Sequence, residues 1–186
     1  AVCARNTSAL DVSGYDNVSI SGQWPYAPGT PTNLIAVAGD GLVALNWAPS
    51  LVAENYRVKR AIASDGVYTS ITTNLTTAFN DQAATNGTTF FYKVSAVNAV
   101  GESADSAVVS AQPVSLAPVV LTTEFTANQI QITWPTDHRG WQLEAQTNAS
   151  GAGLGSAWHP VADSTVTNQL FFPVNPANGS VFYRLV

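Results

Sequence analysis

Asp137, His138, Arg139 and Trp141 bring a carboxylate, an imidazole, a guanidinium and an indole into one short stretch of chain. Acid–base or nucleophilic chemistry would require a partner for that imidazole within hydrogen-bond reach. The sequence offers few partners. His138 and His159 are the two histidines, no Gly-x-Ser-x-Gly elbow occurs, and Cys3 is the single cysteine, which rules out an internal disulfide. No His-Glu-x-x-His motif, EF-hand loop or cysteine pair points to a metal centre. The 12 acidic residues include Asp40, Asp65, Asp81 and Glu102, which read as turn residues rather than as the paired carboxylates of glycoside hydrolysis. The chain is expected to be non-catalytic, with no cofactor and no metal.

Recognition is the chemistry left to those groups. A pyranose ring has an apolar C–H face and hydroxyl edges, so flat aromatics flanked by a few polar side chains suit it. Trp141, Trp158, Arg139, Asp137 and His138 form the first candidate patch for carbohydrate, and Trp24 with Tyr26, in the proline-rich stretch "GQWPYAPGTP", the second. The competing reading makes the segment from Asp137 to Trp141 a solvated hairpin turn and its indoles core or rim residues. It makes Trp24 and Tyr26 a clamp on the linker.

The elements that must hold these residues are strands. Of the 186 residues 10% are charged, against about 25% in an average soluble protein, while 46% are hydrophobic. Thr, Val, Tyr, Phe and Trp fill the apolar runs, and Gly, Pro and Asn punctuate them, which predicts an all-β chain with minimal helix. A net charge of −5 with two lysines excludes a phosphate-binding stripe, so neither nucleic acid nor an anionic membrane is an expected partner. No apolar run is long enough to cross a membrane as a helix. Without an initiating Met the sequence reads as a processed or excised piece, its export signal lying elsewhere.

Residues 1–29 carry two short alternating runs, "ALDVS" and "NVSIS", and then the proline-rich stretch; they read as a linker, the tail of a preceding domain or a strand pair docked on the next domain. Residues 30–114 show seven strand-like runs: "NLIAVAG", "LVALNWA", "NYRVKRA", "VYTSIT", "TAFND", "TFFYKVSAVN" and "SAVVSAQ". Their order resembles a bacterial fibronectin type III domain, through "LVALNW", "NYRVKRA", "GVYTSI" and "GTTFFYKVSAVNAVGES". The resemblance implies an antiparallel sandwich. It departs at Phe90, taken as the position of the family's corner tyrosine, where a phenyl ring has no hydroxyl to bond.

Residues 115–186 repeat the plan: "QIQITWP" parallels "LVALNWAP", "GWQLEAQ" parallels "NYRVKRA", "SAWHPVA" parallels "GVYTSIT", "NQLFFPV" the run around Phe79, and "GSVFYRLV" parallels "GTTFFYKV". Trp134 then matches Trp47 as core, Trp141 matches Tyr56 and Trp158 matches Tyr68. The copy stops after six strands and carries "NASGAGLGS" as a flexible surface loop. This half resembles short β-rich C-terminal modules of secreted bacterial polysaccharide-active enzymes. The two resemblances imply an accessory region of such an enzyme, covalently linked to a catalytic domain and serving as spacer or carbohydrate-binding module. A purely structural tether remains open, as does the end of a lyase or glycoside hydrolase whose catalytic domain is absent.

Overall fold

The computed structural model describes residues 26–175 and 177–186, so Trp24, Cys3 and the runs "ALDVS" and "NVSIS" lie outside the described residues. Seven strands come first: β1 (Ile35–Ala38), β2 (Val43–Asn46), β3 (Asn55–Ala61), β4 (Thr69–Asn74), β5 (Ala78–Asp81), β6 (Phe90–Val97) and β7 (Val109–Ala111). Six more complete the set: β8 (Thr122–Thr126), β9 (Gln129–Thr133), β10 (Leu143–Asn148), β11 (His159–Pro160), β12 (Gln169–Pro173) and β13 (Ser180–Leu185). Thr136–His138 forms one turn of 3-10 helix between β9 and β10. The molecule is all-β.

Among the described residues all strand pairings are antiparallel, and the two halves share one topology. In the first, the sheet β1-β2-β5 faces β4-β3-β6-β7; in the second, β8-β9-β12 faces β11-β10-β13. The register makes the repeat residue-specific. Arg60 pairs with Tyr92 as Ala145 pairs with Tyr183, and Val58 pairs with Val94 as Leu143 pairs with Leu185. The Trp47 N–H donates to the Thr77 carbonyl at 3.0 Å, and the Trp134 N–H donates to the Asn168 carbonyl at 3.0 Å. Each bond ties the end of a second strand to the residue leading into its neighbour.

Alternation explains which side chains meet. Along β6, Phe90, Tyr92, Val94 and Ala96 point inward onto Val43 and Leu45 of β2 and Val58 of β3, with Trp47 at 5% exposure closing the core. The second core gathers Ile132, Trp134 and Leu143, with half-buried Leu170, Phe172, Tyr183 and Leu185 around them. Trp134 is 2% exposed. Both tryptophans therefore fill interiors, and neither buried indole N–H has a hydrogen-bond partner among the described residues. Burial of that much ring outweighs the donor left unpaired.

Two positions depart from expectation. The hydroxyl missing at Phe90 is present two residues on, where Tyr92 donates to Asp81 Oδ2 at 2.9 Å inside the core. Phe90 and Tyr92 share a face, so alternation alone does not distinguish them. Asp81 is no turn residue: it ends β5, is 3% exposed and also accepts from Arg60 Nη1 at 2.8 Å. Burial and that hydrogen bond push the Tyr92 phenol well above its ordinary range.

Candidate functional site

The segment from Asp137 to Trp141 is not a solvated hairpin turn. It folds as the 3-10 turn onto the connection between the sandwiches, and His138 is 3% exposed. His138 Nε2 lies 2.8 Å from the Ala117 carbonyl and Nδ1 2.7 Å from Asp137 Oδ1. A neutral imidazole has one N–H, yet both nitrogens here face acceptors, so the geometry calls for the imidazolium. Burial disfavours that charge, but the hydrogen bonds to Ala117 and Asp137 and the nearby Asp40 carboxylate outweigh it and raise the histidine pKa.

Trp141 belongs to the same joint. Its indole N–H donates to the Ser115 carbonyl at 3.1 Å, and its ring meets His138 edge-on with centroids 5.3 Å apart. Ser115 N–H donates to the Asp137 carbonyl at 2.9 Å, and Gln112 Nε2 to the Arg139 carbonyl at 2.7 Å. On the first sandwich, Gly87 N–H donates to the Pro113 carbonyl at 2.8 Å, and Asn86 Nδ2 to Asp40 Oδ1 at 2.7 Å. Gly87 has φ +75°, and a Cβ there would collide with the Thr136 carbonyl. The hydrogen bond from Asn86, then that from the Leu116 N–H, hold the Asp40 carboxyl below the usual carboxylate range. Side chains that the sequence offers as a sugar patch thus join the two sandwiches. Arg139 is half-buried, its Nε without a hydrogen-bond partner among the described residues.

Trp158 sits elsewhere, just before β11 on the outer side of β11-β10-β13. The Arg184 guanidinium lies 4.4 Å from the centre of its ring, and Arg184 Nε donates to Glu144 Oε2 at 2.8 Å. The pairing of Glu144 with Arg184 across β10 and β13 fixes this arrangement. Sequence reasoning missed Arg184 and Glu144, since opposite charges on neighbouring strands become a signal only once the register is known. The equivalent place in the first sandwich holds Tyr68 with Lys93 Nζ 4.2 Å from its ring centre. An aromatic under a cation is therefore part of the repeated plan.

The second predicted patch is half described. Tyr26 is 48% exposed, and its carbonyl accepts from Asn98 Nδ2 at 3.0 Å, which ties the incoming chain to the first sandwich. His159 is exposed on β11. The "NASGAGLGS" loop lies on the surface as expected; Gln146 pins it, donating to the Ala157 carbonyl at 2.8 Å and accepting from Gly155 N–H at 2.7 Å.

The topology β1-β2-β5 against β4-β3-β6-β7, with Tyr92 and the ordered strand motifs, decides the nature of the first half. It is a fibronectin type III sandwich. A fibronectin type III-like protein from Clostridium thermocellum is 34% identical over 50% of this chain and 98% of its own, with a TM-score of 0.43. No family model matches the chain. An amylopullulanase of Thermoanaerobacterium saccharolyticum is 36% identical over 98 residues, 52% of this chain. One of Thermoanaerobacter thermohydrosulfuricus is 39% identical over 98 residues. The matches span 8% and 7% of those enzymes, so the chain corresponds to a small segment of each. No helix among the described residues is long and apolar enough to cross a membrane.

Proposed function

We propose that this chain is a non-catalytic region of a secreted α-glucan-degrading enzyme that holds the catalytic domain at a set distance and touches polymer through Trp158. The observation that carries the reading is the 36% identity to a segment of an amylopullulanase, an enzyme whose name specifies starch and pullulan. The joint favours a rigid spacer: hydrogen bonds from both sandwiches converge on residues 112–117, and Gly87 abuts Thr136. Trp158, Arg184 and Glu144 supply one aromatic face and two hydrogen-bonding groups on an outer sheet face, which suits a weak contact with a sugar ring. Trp141, His138, Asp137 and Arg139 contribute to rigidity instead.

Affinity electrophoresis through gels containing pullulan, amylopectin, cellulose or xylan tests the proposal. Retardation by the α-glucans and its loss in Trp158→Ala are expected. Retardation by none of the four would discard the binding claim and leave the spacer.

A further inference from the structure

The two halves repeat one plan, but the outer face of one sheet departs from it. In the sheet β8-β9-β12 the core-facing side chains include Ile130, Ile132, Leu170 and Phe172. Alternation turns Gln129, Gln131 and Thr133 of β9 outward, together with Gln169, Phe171 and Pro173 of β12. Aligning the two registers through Trp47 and Trp134 sets Gln131 on Ala44, Gln169 on Ala78 and Phe171 on Asn80. The first sandwich builds the same sheet with two alanines and an asparagine at these places. The fold therefore has no need of a phenyl ring or long amides there.

The three side chains form a unit. Phe171 is 55% exposed on the outer face. Gln131 pairs with it directly across the strands, which brings their Cβ atoms to about 5 Å. Gln169 lies two residues along β12 on the same face, about 7 Å away. Gln131 Nε2 donates to Gln169 Oε1 at 3.1 Å and to Thr133 Oγ1 at 3.3 Å. Both donors of Gln131 are thus used. Among the described residues, Gln131 Oε1 is left as an acceptor and Gln169 Nε2 as a donor, one on each side of the link between the amides. Reversing both amides exchanges the two roles and still leaves one of each. The link also holds the side chains in place before any ligand arrives, which lowers the entropy cost of binding.

This chemistry selects the ligand. A flat ring with an acceptor and a donor fixed beside it matches the C–H face and hydroxyl edge of a sugar. The face carries one charge, Glu124, which pairs with Gln131 from the other side, and no cation, so an anionic ligand would be repelled. A single ring bordered by amides is too small an apolar core for a stable protein interface.

We infer that Phe171, Gln131 and Gln169 form a second sugar subsite for one neutral ring of a glucan: the ring stacks on Phe171, one hydroxyl donates to Gln131 Oε1 and another accepts from Gln169 Nε2. The choice of a glucan rests on the role proposed above. The site itself shares no residue with Trp158, which belongs to the opposite sheet.

The test is nuclear magnetic resonance of the whole labelled chain carrying Trp158→Ala, titrated with maltohexaose, so that the other contact is silent. Saturable shifts of the Phe171 ring and of the Gln131 and Gln169 side-chain amides are expected, half-complete at about 1–10 mM, too weak to retard the chain in a gel. Ala44, Ala78 and Asn80, the equivalent places in the first sandwich, should stay unmoved. Phe171→Ala, at an exposed position, should keep the fold and abolish the saturable shifts, and Gln169→Ala should weaken them roughly three- to tenfold. No saturation, equal shifts at the first sandwich's positions, or binding unchanged in Phe171→Ala would overturn the inference. Shifts at Phe171 that follow protein concentration instead of sugar would overturn it in favour of contact between two copies of this face. Since Trp158 is absent from the tested chain, failure here leaves the Trp158 contact standing, and loss of that contact leaves this subsite standing.

Discussion

Neutralising His138 should loosen the joint between the sandwiches. Its ring is 3% exposed and bonded at both nitrogens, at 2.8 Å to Ala117 and 2.7 Å to Asp137. Hydrogen bonds that involve a charged group are worth about 1.5–3 kcal/mol each, and the contact with Trp141 adds to them. Asp137 is partly solvated, which places its bond at the low end. Replacement by Gln should therefore cost about 2–4 kcal/mol. The folded pKa is raised, so the native state holds the proton more tightly than the unfolded chain. This contribution is complete below the unfolded histidine pKa of about 6.5 and is lost as pH rises through the folded value. Each unit by which the pKa is raised corresponds to about 1.4 kcal/mol of it. Urea unfolding followed by tryptophan fluorescence at about pH 6 and about pH 9 measures the difference, and His138→Gln subtracts the other titrating groups. Wild type should lose more stability toward the alkaline end than the variant does. Equal slopes, or a variant as stable as wild type at the acid end, would refute the imidazolium.

The cores and the joint yield further expectations. Trp134→Ala and Trp47→Ala should each cost about 3–5 kcal/mol in chemical denaturation, because each empties the middle of a packed sandwich. Gly87→Ala should destabilise the joint, through a side chain forced to positive φ against the Thr136 carbonyl, and small-angle scattering should show a broader distribution of distances between the halves. Tyr92→Phe should cost about 1–3 kcal/mol, since it removes a donor from buried Asp81, with a lowered melting temperature as the readout. Trp158→Ala should change stability by less than about 1 kcal/mol in the same assay, which separates a surface contact from a core residue.

The strand plan is legible because burial on alternate residues is written directly in "FFYKVSAV" and "QIQIT", and because Trp47 and Trp134 hold the same place in two similar motifs. The role of His138 is not. Its neighbours in sequence are polar and turn-forming, and what buries it is a linker carbonyl 21 positions earlier. The buried tyrosine hydroxyl falls one strand repeat later than expected, since Phe90 and Tyr92 both face the core and only the position of Asp81 tells them apart. Arg184 over Trp158 depends on the β10–β13 register, which composition and spacing do not determine. The exposure of Phe125 on β8 is not legible either, because strand alternation and residue type predict an inward side chain there.

The most direct test of the proposed role is nuclear magnetic resonance of the labelled chain titrated with maltooligosaccharides. The account predicts saturable shifts centred on the Trp158 indole, Arg184 and Glu144, with the joint around His138 and Trp141 unmoved. Shifts that begin at the joint, or none at millimolar sugar, would contradict it.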